Sequence, residues 1–247
     1  MKKTLAVAAL LAGAVSGYSQ GQVFMGDYLR SDFQISVWSP QLATPGTEVT
    51  GNSSSALATT AGTAADIPAG GAAYTGTPLG GNAADVGTSS QDYGNGNIWS
   101  VQLYAAPGTV ATFSGLLPVA GSVANFFTDS SALGFPGSWN SGVNVAVPNA
   151  ANGTPATMAI AAWYNGNGQY TTYALALAAG VPTGVSTLGV ENVNGGQNTP
   201  PDLPGLGQVN TLSGGITSFS LVGVPEPSTI ALGVIGMSAF LMRLRRK

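Results

Sequence analysis

The sequence contains neither cysteine nor histidine, and these two absences exclude several kinds of protein chemistry. Without cysteine the chain cannot form a disulfide in any compartment. Without thiolate or imidazole side chains it lacks the ligands of the usual zinc and copper sites. It also lacks the Ser-His and Cys-His pairs of the commonest nucleophilic hydrolases. We therefore expect no metal centre of these kinds, no cofactor and no triad-based catalysis.

Charge is also scarce, since charged residues make up 7% of the chain, against roughly 25% in ordinary soluble domains. Six of the seven bases stand at the two ends of the chain, and Arg30 is the single base between Lys3 and Arg243. Nucleic-acid binding requires several basic side chains that neutralise phosphates, so we exclude nucleic acid as a partner. Lysine is absent between Lys3 and Lys247. Lysine–asparagine isopeptide crosslinks are therefore excluded there, and any assembly is expected to be noncovalent.

The first 19 residues have the three parts of a secretory signal. Two lysines stand at positions 2 and 3, an apolar run extends from Leu5 to Val15, and small and polar residues follow up to Gln20. The run is shorter than the roughly 20 residues that span a bilayer, and this order is typical of a cleaved export signal. We predict cleavage after Ser19, with Ser16 as the alternative, and we expect the Sec translocon and signal peptidase as partners.

The last 24 residues have the pattern of a second targeting segment. A proline-containing segment is followed by an uncharged apolar run from Thr229 to Met242 and by a basic end. The stretch from Ser228 to Leu244 would rise about 25 Å as a helix, and long basic side chains can extend it across a hydrocarbon core of about 30 Å. We predict a transmembrane helix over about 229–242, with Ser228 as its N-cap. The basic end places the rest of the chain outside the cytoplasm. Its charged members are Arg243, Arg245, Arg246 and Lys247.

The segment in front of that helix reads Val224, Pro225, Glu226, Pro227 and Ser228. This motif, followed by a short apolar helix and an arginine-rich end, closely resembles the PEP-CTERM sorting signal. The resemblance covers residues 224–247, with Leu244 interrupting the basic cluster. It implies that exosortase, an integral-membrane cysteine protease of Gram-negative bacteria that make extracellular polysaccharide, recognises the motif. It also implies a precursor anchored in the inner membrane, which reaches the cell surface or the medium after processing.

Between the two targeting segments, apolar and polar residues alternate with the period of two that is typical of strands. The predicted strands are 33–37, 99–105, 143–147, 217–221 and a central strand at 157–164 that is apolar on both faces, with weaker candidates at 23–28 and 185–190. About seven to nine strands with little helix predict an all-β fold, an antiparallel β-sandwich of immunoglobulin-like or jelly-roll type. Residues 101–108 and 161–164 also resemble secreted proteins that commonly carry this sorting tail, which supports the fold class.

The remaining segments contain one helix, two loops and a turn. Residues 173–179 are predicted to be helical, with Gly180 as the C-terminal cap. Residues 44–97 are predicted to be a flexible Gly/Ala/Thr-rich insertion with a short strand around 56–60, and 192–210 a surface loop. The repeated Asn-Gly pairs at 165–168 predict a hairpin turn between arms at 163–164 and 170–172. The domain division is thus 1–19 for the signal, 20–222 for the sandwich and 224–247 for the sorting tail.

Three aromatic side chains are candidates for sugar stacking, namely Trp139, Trp163 and Tyr164. Large aromatics also fill sandwich cores, and we expect at least one of the adjacent pair to be core. Pairs of acids such as Asp27 and Asp32 leave a carboxylate-dependent glycosidase or lyase open. The oxygen-rich stretch 92–97 lacks the EF-hand pattern, so we predict no metal site there.

These observations together predict a noncatalytic, exported surface or extracellular-matrix protein. We expect a structural or adhesive role in an envelope or biofilm that contains exopolysaccharide. The alternative is a carbohydrate-binding module for exopolysaccharide, and the third possibility is the carboxylate-dependent enzyme.

Overall fold

The computed structural model describes residues 20–26, 35–41, 46–51, 74–80, 93–128, 137–139, 142–194, 200–204 and 212–223. Within these ranges the protein is all-β, with eleven strands and one α-helix. The strands are β1 (Gln20–Met25), β2 (Val37–Trp38), β3 (Trp99–Pro107), β4 (Leu117–Pro118), β5 (Ala124–Asn125), β6 (Val143–Ala151), β7 (Thr154–Tyr164), β8 (Thr183–Val185), β9 (Gly189–Val193), β10 (Ser213–Gly214) and β11 (Phe219–Ser220). The helix α1 is Tyr173–Ala179, and short 3₁₀ turns lie at Gly96–Ile98 and Phe113–Gly115.

The main sheet is built around the long antiparallel pair β3 and β7. Their register runs without interruption from the Trp99–Tyr164 pair to the Pro107–Ala156 pair. The period-two pattern of β3 and the doubly apolar pattern of β7 predicted both strands, and the structure confirms them. Eight of the eleven residues of β7 are buried, in one unbroken run, which is the burial expected of a strand covered on both faces.

Short strands occupy the two sides of this central pair. On one side, β4 and β5 pair with successive parts of β3. On the other side, β9 pairs with the first half of β7 and β8 with its second half, and β10 lies beyond β9. The main sheet is therefore four to five strands wide, and its margins are made of segments two to five residues long.

A second layer covers one face of the main sheet. Strands β1 and β6 form an antiparallel pair with a register shift between Gln20 and Gln22. Val23 and Met25 of β1 and Val145 and Val147 of β6 share one buried cluster with the inward residues of β3 and β7. The chain passes from β6 to β7, and so from one layer to the other, through the two-residue turn 152–153, where Gly153 has φ +77°.

A third, small sheet pairs β2 with β11 in parallel. An antiparallel sandwich was predicted, and this pair departs from it, as does the isolated parallel bridge between Phe24 and Asp202. The last predicted strand, 217–221, is confirmed over Phe219–Ser220, and the predicted strand at 33–37 is found at Val37–Trp38, with residues 33 and 34 outside the described ranges.

The opposite face of the main sheet is covered by α1 and the 3₁₀ turn at 113–115. Tyr104, Ala159 and Ala161 point to this side and pack with Phe113 and Tyr173. The predicted helix is confirmed at both ends. Thr172 Oγ1 accepts a hydrogen bond from the Leu175 N–H at 3.3 Å, and Gly180 closes the helix with φ +66°, a conformation that glycine adopts without a steric penalty.

Several sequence predictions need correction. The single weak strand at 185–190 is two strands, because Ser186 interrupts the backbone ladder: its Oγ accepts the Ile160 N–H at 2.9 Å where a carbonyl would do so. The weak strand at 23–28 instead starts at Gln20 and ends at Met25. The Asn-Gly turn is present, with Asn167 at φ +57°, but the segment after it leads into α1 and forms no hairpin arm.

The two predicted loops also contribute to the folded body. Within the 44–97 stretch, the N–H of Gly51 donates to Ser218 O, and that of Leu79 to Val37 O, at 2.9 Å each. Within the 192–210 stretch, Leu203 is completely buried in the main core. The described parts of both stretches are thus integrated in the fold, whereas the predicted strand at 56–60 lies outside the described residues.

Candidate functional site

The predicted sorting and orientation residues lie outside the described residues. These are Val224, Pro225, Glu226, Pro227, Ser228, Arg243, Arg245, Arg246 and Lys247, together with the signal at 1–19 and the helix at about 229–242. Among the residues that the structure does describe, no helix is long and apolar enough to cross a membrane. Export, anchoring and processing therefore remain predictions from the sequence.

The structure corrects the prediction that Trp139 and Trp163 offer an exposed sugar-stacking face. Both side chains have 0% exposure. Trp163 Nε1 donates to the carbonyl of Tyr170 at 2.8 Å, so the indole fastens the turn that follows β7. Trp139 packs edge-on against Phe126, with 6.3 Å between ring centroids. Both tryptophans are core residues, since neither presents a ring face to solvent.

Tyr164, the third stacking candidate, belongs to an aromatic row at the end of the main core. Its half-buried ring meets Trp99 edge-on at 5.2 Å. Trp99 in turn stacks on Tyr93 at 5.3 Å with 19° between the ring planes. Trp99, in the middle of this row, is completely buried, so the ring contacts of the row lie inside the protein.

The asparagine residues of the 92–97 stretch have structural roles. Asn95 Oδ1 accepts the N–H of Asn97 at 3.1 Å and caps the 3₁₀ turn. The side chain of Asn165 donates to Asn97 O at 2.9 Å and to Ser100 Oγ at 3.0 Å. In the part of the chain that the structure describes, no three acidic side chains come together as metal ligands.

Glu48 is the first functional candidate that sequence reasoning missed. It lies half-buried beside β8, where its Oε1 accepts the N–H of Val185 at 2.6 Å. Its own segment runs along β11, with the N–H of Val49 donating to Ser220 Oγ and the N–H of Ser220 donating to Val49 O. Glu48 thus links the small sheet to the main sheet.

Glu48 can change its charge near neutral pH. Burial raises the pKa of its carboxyl from 4.5 to about 7, and the hydrogen bond from Val185 opposes the rise. Burial, together with the nearby Glu48 carboxylate, raises the pKa of both Tyr74 and Tyr173. The carboxyl therefore lies near enough to both phenols for its charge to act on them. A group of this kind can hold or release one proton at neutral pH.

Tyr74 is held firmly at this junction. Its ring stacks on Trp38 with 5.0 Å between centroids and 8° between planes. Its hydroxyl lies within hydrogen-bonding distance of the carbonyl oxygens of Gly51 and Ser218. Tyr74 therefore fixes the segment that carries Glu48 against Ser218, the residue that precedes β11.

Glu191 and Asp202 form an acidic pair elsewhere in the fold. Glu191 is 4% exposed and stands opposite Ala156 in the β9–β7 ladder. Asp202 lies next to Phe24 of β1 through an isolated bridge. Burial, and secondarily the negative charge of Asp202, raise the pKa of Glu191 to about 8. Because Glu191 has so little access to solvent, the pair is not arranged to meet a polysaccharide substrate.

The outer face of the main sheet carries a cluster of three aromatic rings, Tyr104, Phe113 and Tyr173. Their centroids are 4.8 to 6.1 Å apart, and the rings meet at angles of 43° to 72°. Phe113 and Tyr173 are half-buried, so parts of both rings reach solvent. Beyond them, the outward side of α1 exposes Leu175 and Leu177.

Sequence signals for these features differ in strength. Glu191 lies two residues before buried Val193, on the same face of the strand. Its inward direction therefore follows from the alternation of side chains once the strand is placed at 189–193. Glu48 stands in a stretch without periodicity, and nothing in the pattern indicates that it reaches β8. The apolar composition of α1 was visible in the sequence, but which of its sides faces solvent was not.

In comparisons with known proteins, no family model, no curated protein and no solved structure matched the chain.

Proposed function

We propose that this chain is an exported, noncatalytic surface or extracellular-matrix protein that exosortase processes at a PEP-CTERM-type tail. The observation that carries the proposal is the order of segments along the chain: a predicted export signal, a folded β body and a predicted sorting tail. The predicted signal cleavage after Ser19 leaves β1 whole, because β1 begins at Gln20. The motif at 224–228 begins directly after Gly223, beyond the bridge that Val222 forms with Thr183.

The β body has features that suit a structural component. The three described tryptophans with 0% exposure, Trp99, Trp139 and Trp163, lie in its interior. We assign the body to the sandwich architecture, because the β1–β6 layer covers one face of the main sheet and the chain crosses between the layers at 152–153. In this proposal the body is a spacer or adhesive unit in an exopolysaccharide-containing envelope or biofilm, and it assembles without covalent crosslinks.

The experiment is the intact mass of the protein recovered from the native host, from the envelope and from the medium separately. We expect a species that begins at Gln20 and ends near Pro225 to Pro227. The control is the same chain with Pro225 and Pro227 both changed to alanine, which should keep its tail and stay with the membrane. A wild-type species that retains Arg243 to Lys247 in a host with an active exosortase would contradict the sorting proposal and leave a tail-anchored envelope protein.

A carbohydrate-binding role is the second candidate, and the partly exposed rings of Phe113 and Tyr173 favour it. Aromatic rings with an exposed part can contact the apolar face of a sugar. The test is co-sedimentation of the chain with the host's own exopolysaccharide. Phe113→Ala should weaken the binding, whereas Trp163→Phe, which changes a buried ring, should not. Equal binding of wild type and Phe113→Ala would count against this candidate.

A further inference from the structure

Helix α1 carries an apolar outward face that no described residue covers. Leu175 is 51% exposed and Leu177 is 57% exposed. Ala174, Ala178 and Ala179 are exposed as well, and only Ala176 is fully buried. A surface helix of a soluble domain normally turns charged or polar residues outward, and an apolar outer face is typical of a helix that contacts another apolar phase.

The chain leaves the β body beside this helix. The N–H of Val222 donates to the carbonyl of Thr183 at 2.7 Å. Thr183 follows the end of α1 by only four residues, and its side chain is hydrogen-bonded to Tyr173 in the first turn of the helix. The exit at Gly223 and helix α1 are therefore neighbours.

The connection from this exit to the apolar tail is short. Ser228 is five residues beyond Gly223, and five residues span at most about 17 Å when fully extended. Pro225 and Pro227 favour an extended course. The apolar run begins one residue later, at Thr229, so any bilayer that receives it lies within about 20 Å of the exit, and hence close to α1.

We propose that α1 is a membrane-docking surface, in which Leu175 and Leu177 enter the interfacial region of the bilayer that holds the chain's own C-terminal segment. The inference rests on the proposed function, because it requires the tail to be in the membrane. A lipid surface fits better than a second copy, since the short connection keeps lipid within reach at any protein concentration. The helix carries no charge, so the docking is apolar and should be insensitive to salt.

The absence of cysteine allows a direct test with single labelled positions. Leu177→Cys carries an environment-sensitive NBD probe. Leu117→Cys is the matched control, because Leu117 is 55% exposed and lies on β4, at the edge of the main sheet opposite β8. The full unprocessed chain is purified from a Gram-negative host without exosortase and reconstituted in vesicles of phosphatidylethanolamine and phosphatidylglycerol. A parallel sample contains brominated phosphatidylcholine.

Two readouts separate the two proposals. Flotation of the vesicles in alkaline carbonate reports the tail, and probe emission reports α1. We expect the chain to float, and the probe at position 177 to be blue-shifted and to lose emission to brominated lipid at low and high salt. The probe at position 117 should do neither, and adding Leu175→Ser should reduce the quenching at position 177.

Three results would overturn the docking. If the chain floats and both probes report water, the anchor stands and the docking fails. If position 177 is blue-shifted but not quenched by brominated lipid, and the chain crosslinks to itself there, the face binds a second copy. If the chain does not float, the anchor fails and the docking fails with it.

Discussion

Replacing Glu191 with glutamine should stabilise the fold in alkaline solution and change it little in acid. Burial and the charge of Asp202 raise the pKa of Glu191 from 4.5 to about 8 in the folded protein. The folded state therefore binds more protons than the unfolded state between these pH values, and the free energy of unfolding falls as the pH rises through them. Glutamine keeps the size and polarity of the side chain and has no charge to bury.

The size of the effect follows from the difference between the two pKa values of Glu191. At one pKa unit per 1.36 kcal/mol, full ionisation at pH 9 costs at most about 5 kcal/mol. Relaxation of the surroundings and entry of water reduce such costs. We therefore expect Glu191→Gln to raise the free energy of unfolding by about 2 to 3 kcal/mol at pH 9 and by less than about 0.5 kcal/mol at pH 4.5.

Urea unfolding of the full chain in mild detergent, followed by tryptophan fluorescence, measures this difference. Trp99, Trp139 and Trp163 are fully buried, so their emission should change when the core opens. Glu48→Gln is the control at a half-buried acid. Glu48→Gln should also raise the free energy of unfolding, but its effect should appear at lower pH than that of Glu191→Gln, because the pKa of Glu48 is raised only to about 7. If the urea midpoints of wild type and Glu191→Gln run parallel from pH 5 to pH 9, the reasoning about Glu191 is wrong.

Three further predictions concern stability in the same urea assay at pH 6. Gly180→Ala should lower the free energy of unfolding by about 1 kcal/mol, because alanine is strained at the φ of +66° that ends α1. The control Ala178→Gly, in the exposed last turn, should lower it by no more than the ordinary penalty for glycine in a helix. Ser122→Ala should lower the free energy of unfolding by about 1 to 3 kcal/mol, since it removes the Oγ that accepts the buried N–H of Leu103 at 3.1 Å. An unchanged urea midpoint would show that water takes the place of that oxygen. Trp163→Phe should lower the free energy of unfolding by about 1 kcal/mol or more, because it removes the indole N–H that donates to the carbonyl of Tyr170. Co-sedimentation of this variant with exopolysaccharide should stay at the wild-type level.

The strands that sequence predicted well are those whose burial is simple. In β6 apolar residues alternate with polar ones, and in β7 they are continuous because the strand is covered on both faces. In β3 the residues alternate in type although its polar Ser100 and Gln102 are buried as well. These patterns depend on local geometry alone. The helix and its glycine cap were equally local, and both were predicted correctly.

The features that were missed depend on contacts between residues far apart in the sequence. Tyr74 meets Ser218, and Glu48 meets Val185, through backbone groups that carry no sequence signature. The split between β8 and β9 depends on one serine hydroxyl that substitutes for a carbonyl. The stacking role predicted for Trp139 and Trp163 failed because composition shows that a large ring is present and does not show on which side of the sheet it lies.

The pairing of β2 with β11 has a consequence for the order in which the body can be completed. The N–H of Ser36 donates to Ser218 Oγ across 182 positions of the chain, and the same pairing continues through β11. In an export that proceeds from the N-terminus, β2 reaches the far side of the membrane long before its partner. In the proposed export the last strand emerges just ahead of the tail, so the small sheet closes only at the end of translocation. The topology would thereby set the timing: the body finishes folding only as the proposed anchor segment reaches the membrane.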